Sequence, residues 1–158
     1  LRGVWMPTSC MKQPSGFLNV LWYWLVEKMI ILKSHKLHSL GNVFFLGEKQ
    51  QAEIAAYMAH FDVCINPQSV NDITIGNYPR KVDEYLALGK PVVATKTKTM
   101  EIFNGYVYNC TGADEYVQSI RAALEKDTTE ERKRRMEFAH THTWENSVSQ
   151  LYNYINQL

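Results

Sequence analysis

The sequence predicts an α/β fold built on a parallel, Rossmann-like sheet with helices on both faces. From residue 40 onward, short apolar runs alternate with longer amphipathic stretches, which is typical of strands joined by helical crossovers. Hydrophobic residues make up 46% of the 158-residue chain and charged residues 21%, as expected for a single globular domain. Right-handed crossovers place the carboxyl ends of parallel strands at one edge of the sheet, where ligands bind.

The predicted elements follow one another along the chain. Four apolar runs bounded by turn-forming or polar residues are predicted as strands, at 42–47, 62–66, 91–95 and 106–110. Five stretches with apolar residues at helical spacing are predicted as helices, at 50–60, 79–88, 114–126, 128–138 and 144–158. The polar segments between them are predicted as loops, at 68–77 and 96–104.

The segment 77–95 carries the strongest local signal. Pro79 suits the first turn of a helix, and Gly89 stands where a left-handed C-cap is needed to end it. Arg80 and Lys81 fall in the first turn, where the helix dipole disfavours cations. A phosphate held between these side chains and the N–H groups of the helix would account for that placement.

This segment, PRKVDEYLALGKPVVAT, resembles the nucleotide-sugar-binding signature of the C-terminal domain of GT-B retaining glycosyltransferases of group 1 (family 4). The flanking stretches NVFFLGEKQQAEIAAYMAHFDVCINP and HTHTWENSVSQLYNYI agree with it, so the resemblance covers about residues 40–158. It implies the C-terminal half of a GT-B fold, in an enzyme of hexosyltransferase type that moves a sugar from a nucleotide diphosphate to an acceptor. The N-terminal domain would be missing, so the isolated chain is expected to be inactive. A non-catalytic Rossmann-like interaction module and a GT-B-like sugar-nucleotide epimerase fragment remain alternatives.

The resemblance also assigns donor-binding residues. Lys81 is the first candidate for a phosphate contact and Arg80 the second, with solvated surface cations as the alternative reading. Glu84 matches a family glutamate that holds the ribose hydroxyls, since a carboxylate accepts two O–H groups. The alternative for Glu84 is an intrahelical ion pair with Arg80. Asp83 is less favoured because it points about 100° away around the helix.

One position departs from the family pattern. Gly76 stands where the family has another glutamate that contacts the donor sugar, so the identity of that sugar is open. Backbone N–H groups of Ile75, Gly76 and Asn77 are candidates for binding the sugar or phosphate, and a glycine would permit that approach. A plain flexible loop is the other interpretation. Side-chain candidates in the same loop are Asn71, Asp72, Thr74 and Asn77.

Charge and cysteine content narrow the partners. The formal net charge of +1 gives no electrostatic footprint for nucleic acid. Three widely spaced cysteines, an odd number, favour a reducing compartment, and a cytoplasmic location is expected. No cofactor or metal is expected, because the family commonly stabilises the leaving diphosphate with protein cations and helix N-termini. The partners are then a nucleotide-sugar and the missing domain, with peripheral membrane association of the full enzyme left open.

Other residues carry weaker signals. His140 and His142 lie near a helix end, where surface or capping roles are expected. Trp144 resembles the family's entry to the C-terminal helix and is expected to pack. Gly47 and Glu48 would lie near the base of the donor nucleotide. The loop residues Lys96 and Lys98 are interpreted as solvated.

Residues 1–34 do not fit and are treated as an atypical segment before the domain at 35–158. They hold three of the four tryptophans and show no strand–helix alternation, where the family would have a helix and then a strand. One interpretation is a hydrophobic helix that binds a partner or a membrane surface. Another is translation out of frame, because shifted codons from residue 22 permit the family-like string LVLVGRKND. A stop codon in the shifted frame within residues 5–30 would exclude that hypothesis.

Overall fold

The structure is a computed structural model in which residues 2–5, 20–24, 36–68, 70–72 and 76–157 are described. Its strands are β1 Arg2–Trp5, β2 Val20–Trp24, β3 Val43–Phe45, β4 Val63–Asn66, β5 Val92–Thr95 and β6 Val107–Cys110. Its α-helices are α1 Gln51–Ala59, α2 Arg80–Ala87, α3 Ala113–Lys126, α4 Thr129–Thr141 and α5 Trp144–Ile155. Two short 3₁₀ helices complete the described elements, at Lys36–Ser39 and Lys98–Phe103.

The strands form one six-stranded sheet in the order β3-β2-β1-β4-β5-β6. Every neighbouring pair is parallel. The chain first adds strands outward from β1 and then returns to its other side with β4, so the strand order reverses between β1 and β4. In open sheets of this kind, ligands bind outside the carboxyl ends of the strands at such a reversal. The predicted Rossmann-like α/β fold is confirmed.

Strands β4 and β5 are buried on both faces, and their side chains alternate between two apolar clusters. Val63 and Ile65 of β4 join the cluster that packs against α3, whereas Cys64 between them joins the cluster that packs against α1, α2 and α4. The same alternation continues in β5, where Val93 faces α3 and Ala94 faces the other side. Helices therefore cover both faces of the sheet, as predicted.

The two ends of α2 can be compared with the ends predicted from Pro79 and Gly89. Gly89 adopts φ +68°, and the Lys90 N–H donates to the Tyr85 carbonyl over 2.9 Å, so a left-handed glycine ends the helix as predicted. Pro79 is the N-cap residue, with φ −86° and ψ 68°, and the helix begins one residue later than expected, at Arg80.

The segment 96–104 was expected to be a plain loop, and that prediction is wrong. Residues Lys98–Phe103 form a 3₁₀ helix, whose N-cap Thr97 accepts a hydrogen bond from the Met100 N–H. Met100 and Phe103 are buried against the sheet. Because the segment is rich in lysine and threonine, its sequence does not indicate that two residues, only three positions apart, are buried.

The expectation that residues 1–34 contribute no strand is also wrong. Residues 2–5 and 20–24 form β1 and β2, parallel neighbours in the middle of the sheet. A strand buried on both faces reads as a continuous apolar run instead of an alternating one, and Trp22 is only 2% exposed. A hydrophobic helix is therefore excluded at these positions. Most of the segment lies outside the described residues, so the frame hypothesis and the domain boundary stay predictions.

The helix α5 presents its aromatic residues to solvent. Trp144, expected to pack, is its first residue and is 80% exposed, so that prediction is wrong. Tyr152, Tyr154 and Ile155 on the same helix are also exposed. Among the described residues, no helix has the length and apolar character needed to cross a membrane.

Candidate functional site

Those predicted site residues that the structure describes lie at the carboxyl edge of the sheet, beside the reversal of strand order. The loop from Pro67 to Pro79 leaves the end of β4 and leads directly into α2. Two hydrogen bonds join this loop to the segment after β5. The Gln68 N–H donates to the Thr95 Oγ1 over 2.8 Å, and the Thr99 hydroxyl donates to the Asn77 carbonyl over 3.0 Å.

A tyrosine from α3 reinforces the start of the same loop. The Tyr116 hydroxyl lies 2.8 Å from the Thr95 Oγ1 and donates to the Asn66 carbonyl over 3.4 Å. Since Tyr116 uses its proton on Asn66, the Thr95 hydroxyl donates to Tyr116 and accepts from the Gln68 N–H. The loop after β4 is therefore fixed to both β5 and α3 where it leaves the sheet.

The structure brings three of the predicted donor-binding side chains together on α2. Arg80 and Lys81 occupy its first turn and Glu84 lies one turn further, and all three are exposed. Lys81 and Glu84, three residues apart, face the same side of the helix. In the part of the chain that the structure describes, no ion pair joins Arg80 to Glu84.

The loop residues predicted to bind through their backbone are placed only in part. Gly76 is exposed, its φ is not positive, and a Cβ added there would meet no atom within 4 Å. The unliganded backbone therefore does not require glycine at this position. Asn77 is exposed, and its carbonyl is occupied by Thr99. Ile75 and the alternative Thr74 lie outside the described residues.

Residue types and their spacing do not predict one interaction that lies directly beside the site. The Asp83 carboxylate accepts a hydrogen bond from the His142 Nδ1–H over 2.9 Å. Burial first, and then the neighbouring Asp83 carboxylate, raise the pKa of Tyr78. Asp83 thus points away from Lys81 and Glu84, as the helical geometry predicted. His142 also caps the C-terminal end of α4, which confirms the capping role expected for it.

Lys90 is a buried cation, unlike the exposed Arg80 and Lys81. It is 7% exposed, and its Nζ donates to the Ala59 carbonyl over 2.6 Å, at the C-terminal end of α1. Burial first, and then the charge of Arg132, lower the pKa of Lys90. Its role is to join α1 to the start of β5. Lys96 and Lys98 are exposed, in agreement with the solvated interpretation.

No group of three or more His, Cys, Asp or Glu side chains gathers at one point among the residues that the structure describes. Cys64 and Cys110 are buried free thiols. The expectation of a site without metal remains a prediction.

A doubly wound parallel sheet with this strand order defines a Rossmann-like domain, the class that binds nucleotides at the reversal of strand order. A sequence model of the family described as "Glycosyl transferases group 1" matches residues 27–126. The chain belongs to this family.

A curated relative supports the same family. Over 126 residues the chain is 32% identical to the protein named as the teichuronic acid biosynthesis glycosyltransferase TuaH of Bacillus subtilis (strain 168). The match covers 75% of this chain and 31% of that protein.

Solved structures share the fold at low sequence identity. The structure of Anabaena Alr3699/HepE in complex with UDP and glucose matches 99% of this chain with a TM-score of 0.67 and 18% identity. The UDP-GlcNAc 2-epimerase from Neisseria meningitidis bound to UDP-GlcNAc matches 87% with a TM-score of 0.59 and 13% identity. This chain spans 48% of the first of these proteins and 38% of the second. At these identities the likeness establishes the fold alone.

Proposed function

We propose that this chain is the nucleotide-sugar donor-binding domain of a retaining group 1 glycosyltransferase. The observation that carries the proposal is the position of the first turn of α2. It presents Arg80 and Lys81 at the carboxyl edge of the sheet, next to the reversal of strand order between β1 and β4. The HepE structures, which contain UDP or UDP-glucose, support this choice of ligand class.

The chemistry needs positive charge at this point. In retaining transfer the sugar becomes oxocarbenium-like while negative charge grows on the leaving diphosphate. Fixed donors and cations aimed at that charge stabilise the transition state more than the ground state. Lys81, with Arg80 beside it, would hold the diphosphate at the start of α2, where the helix dipole adds to the attraction.

Glu84 has a separate role in the proposal. It lies one turn deeper along α2 than Lys81 and would accept the two ribose hydroxyls of the donor. The proposed contacts thus separate along the helix, with the diphosphate at the first turn and the ribose at the second. Backbone N–H groups of Ile75, Gly76 and Asn77 are proposed for the sugar or phosphate, and the donor base and sugar are left open.

The test is calorimetric titration of the chain with UDP, GDP and their nucleosides. We expect one diphosphate to bind more tightly than its nucleoside. Lys81→Ala should weaken binding of that diphosphate by roughly tenfold or more, the size of one charge-assisted hydrogen bond, and weaken nucleoside binding only modestly. Glu84→Gln should instead weaken diphosphate and nucleoside binding together.

The matched control is Lys126→Ala. Lys126 is an exposed lysine in the last turn of α3, remote from the site because α3 runs antiparallel to the strands. Its loss should leave both affinities unchanged. The proposal is overturned if neither diphosphate binds, or if Lys126→Ala and Lys81→Ala weaken binding equally.

The activity of the whole protein goes beyond this chain, which spans less than half of its relatives' length. We propose that an N-terminal domain carries the acceptor site and much of the catalytic machinery. The isolated chain should then transfer no sugar, and transfer by the purified chain to any acceptor would refute this. A cytoplasmic location and peripheral membrane association of the full enzyme belong to the same proposal.

The likeness to UDP-GlcNAc 2-epimerases favours one second candidate, a sugar-nucleotide epimerase. Both candidates bind a nucleotide-sugar, so titration does not separate them. The full-length protein does. An epimerase interconverts two nucleotide-sugars without an acceptor, whereas a transferase releases the nucleoside diphosphate only when an acceptor is present.

A further inference from the structure

Asp83 joins two segments of the chain that are far apart in sequence. The His142 Nδ1, at the C-terminal end of α4, lies 2.9 Å from the Oδ1 of Asp83, in the first turn of α2. The side chains of Asp83 and His142 are 22% and 24% exposed, so water screens their contact less than it would a surface pair. A carboxylate only accepts hydrogen bonds, so Nδ1 of His142 carries a proton.

The orientation of the His142 ring is fixed by its surroundings. Its backbone N–H donates to the Ala139 carbonyl over 3.0 Å, which places it at the end of α4. The ring packs edge-on against Phe138, at 4.4 Å between centroids, and against Phe103, at 5.7 Å. Since Phe103 is fully buried, His142 presents Nδ1 to Asp83 from a rigid support.

Asp83 transmits this support to the first turn of α2, which also holds Arg80 and Lys81. Tyr78 precedes the N-cap Pro79, and its carbonyl accepts the Arg80 N–H over 3.0 Å. The Tyr78 ring is 48% exposed, so its packing alone contributes little to holding this turn.

We propose that His142, acting through Asp83, is a positioning residue that fixes the first turn of α2 and thereby the diphosphate end of the donor site. This inference rests on the proposed function. The geometry of the turn sets where Arg80 and Lys81 meet a diphosphate, because both belong to it. A nucleoside lacks the phosphates, so its binding depends little on that turn.

The experiment compares four variants of the full 158-residue chain. His142→Ala removes the Nδ1 donor. His142→Asn keeps an amide N–H at nearly the place of Nδ1, because both nitrogens are attached to Cγ. His140→Ala is the matched control, since this exposed histidine lies two residues earlier on α4. UDP, GDP and their nucleosides are titrated, and hydrogen exchange is measured at the amides of Tyr78, Arg80 and Lys81.

We expect His142→Ala to weaken diphosphate binding about tenfold, within the range of a lost charge-assisted hydrogen bond, and nucleoside binding less than twofold. Exchange at the three amides should speed up. His142→Asn should restore both, and His140→Ala should change neither. Asp83→Ala removes the acceptor of the His142 Nδ1–H, so it should repeat the loss if His142→Ala fails to fold.

The two proposals fail in different ways. If the unmodified chain binds no diphosphate, the proposed function fails, and the exchange rates still show whether His142 holds the turn. If the unmodified chain binds and neither His142→Ala nor Asp83→Ala changes the ratio of diphosphate to nucleoside affinity, the positioning role is wrong. Equal weakening of both ligands would assign His142 a general structural role and also overturn the inference.

Discussion

Arg135→Ala should lower the free energy of unfolding more than Arg132→Ala, which removes another cation of α4. Arg135 is 5% exposed and forms an ion pair with Asp127, the C-cap residue of α3. Its Nε and one terminal nitrogen also donate to the Gly89 carbonyl over 3.0 and 2.8 Å. One side chain therefore joins α4 to the turn that ends α2.

The expected magnitude follows from what truncation leaves behind. Alanine would leave the Asp127 carboxylate, whose side chain is 17% exposed, without its closest cation. The Gly89 carbonyl would lose both of its donors from Arg135. Removing one partner of a buried ion pair costs about 3–5 kcal/mol, because the remaining charge stays desolvated. For a chain of this size, that corresponds to a fall in melting temperature of roughly 6–20 °C.

Arg132 provides the internal comparison. It reaches the same Asp127 carboxylate at 3.7 Å, but its side chain is 55% exposed. Exposed pairs contribute about 0–1 kcal/mol, so Arg132→Ala should be nearly neutral. Urea unfolding followed by circular dichroism gives both free energies. If Arg135→Ala costs less than about 1 kcal/mol, or no more than Arg132→Ala, burial does not set the strength of this contact.

Two other predictions concern the turn after α2 and a buried thiol. Gly89→Ala should lower the free energy of unfolding more than Gly105→Ala. Both glycines have positive φ, a conformation that costs about 1–2 kcal/mol for a residue with a side chain. Of these two positions, only Gly89 would place the new Cβ so that it overlaps the Arg132 Cγ. Equal losses in urea unfolding would contradict the overlap. Burial raises the pKa of Cys64 from 9.0 to about 12. Between these two pH values the folded thiol stays protonated, whereas the unfolded thiol ionises. The contribution of the buried thiol to the free energy of unfolding is therefore present below pH 9 and is lost as the pH rises toward 12. A thiol reagent at pH 8 should modify Cys64 only at the rate of unfolding, and rapid modification of the native chain would refute this.

Rules that act within one element predicted the fold well from residue 40 onward. The apolar runs of β4 and β5 and the glycine that ends α2 needed no information from the rest of the chain. The predictions failed at β2, whose apolar run was interpreted as part of a hydrophobic helix, and at 96–104, where a polar composition did not indicate two buried residues. Trp144 was given a packing role although its helix leaves it exposed.

In the candidate site, too, features set within one helix were predicted, whereas contacts between distant elements were not. Arg80, Lys81 and Glu84 were found because they share one helix, and the fixed spacing of a helix places them together. The link from His142 to Asp83 spans 59 positions of sequence, and neither residue type nor spacing points to it. The Thr95–Tyr116 contact was missed for the same reason, since it joins two elements that meet only after the sheet has formed.

The anchors of the loop between β4 and α2 bear on how such a domain could change its ligand. The Asn66 carbonyl, the Gln68 N–H and the Asn77 carbonyl, which fix the two ends, are all main-chain groups. A main-chain group persists whichever side chain its residue carries. The intervening positions can therefore be exchanged without removing an anchor, and segments from related enzymes could be grafted between them. Such chimeras would show how far selectivity for the transferred sugar resides in this one interchangeable stretch.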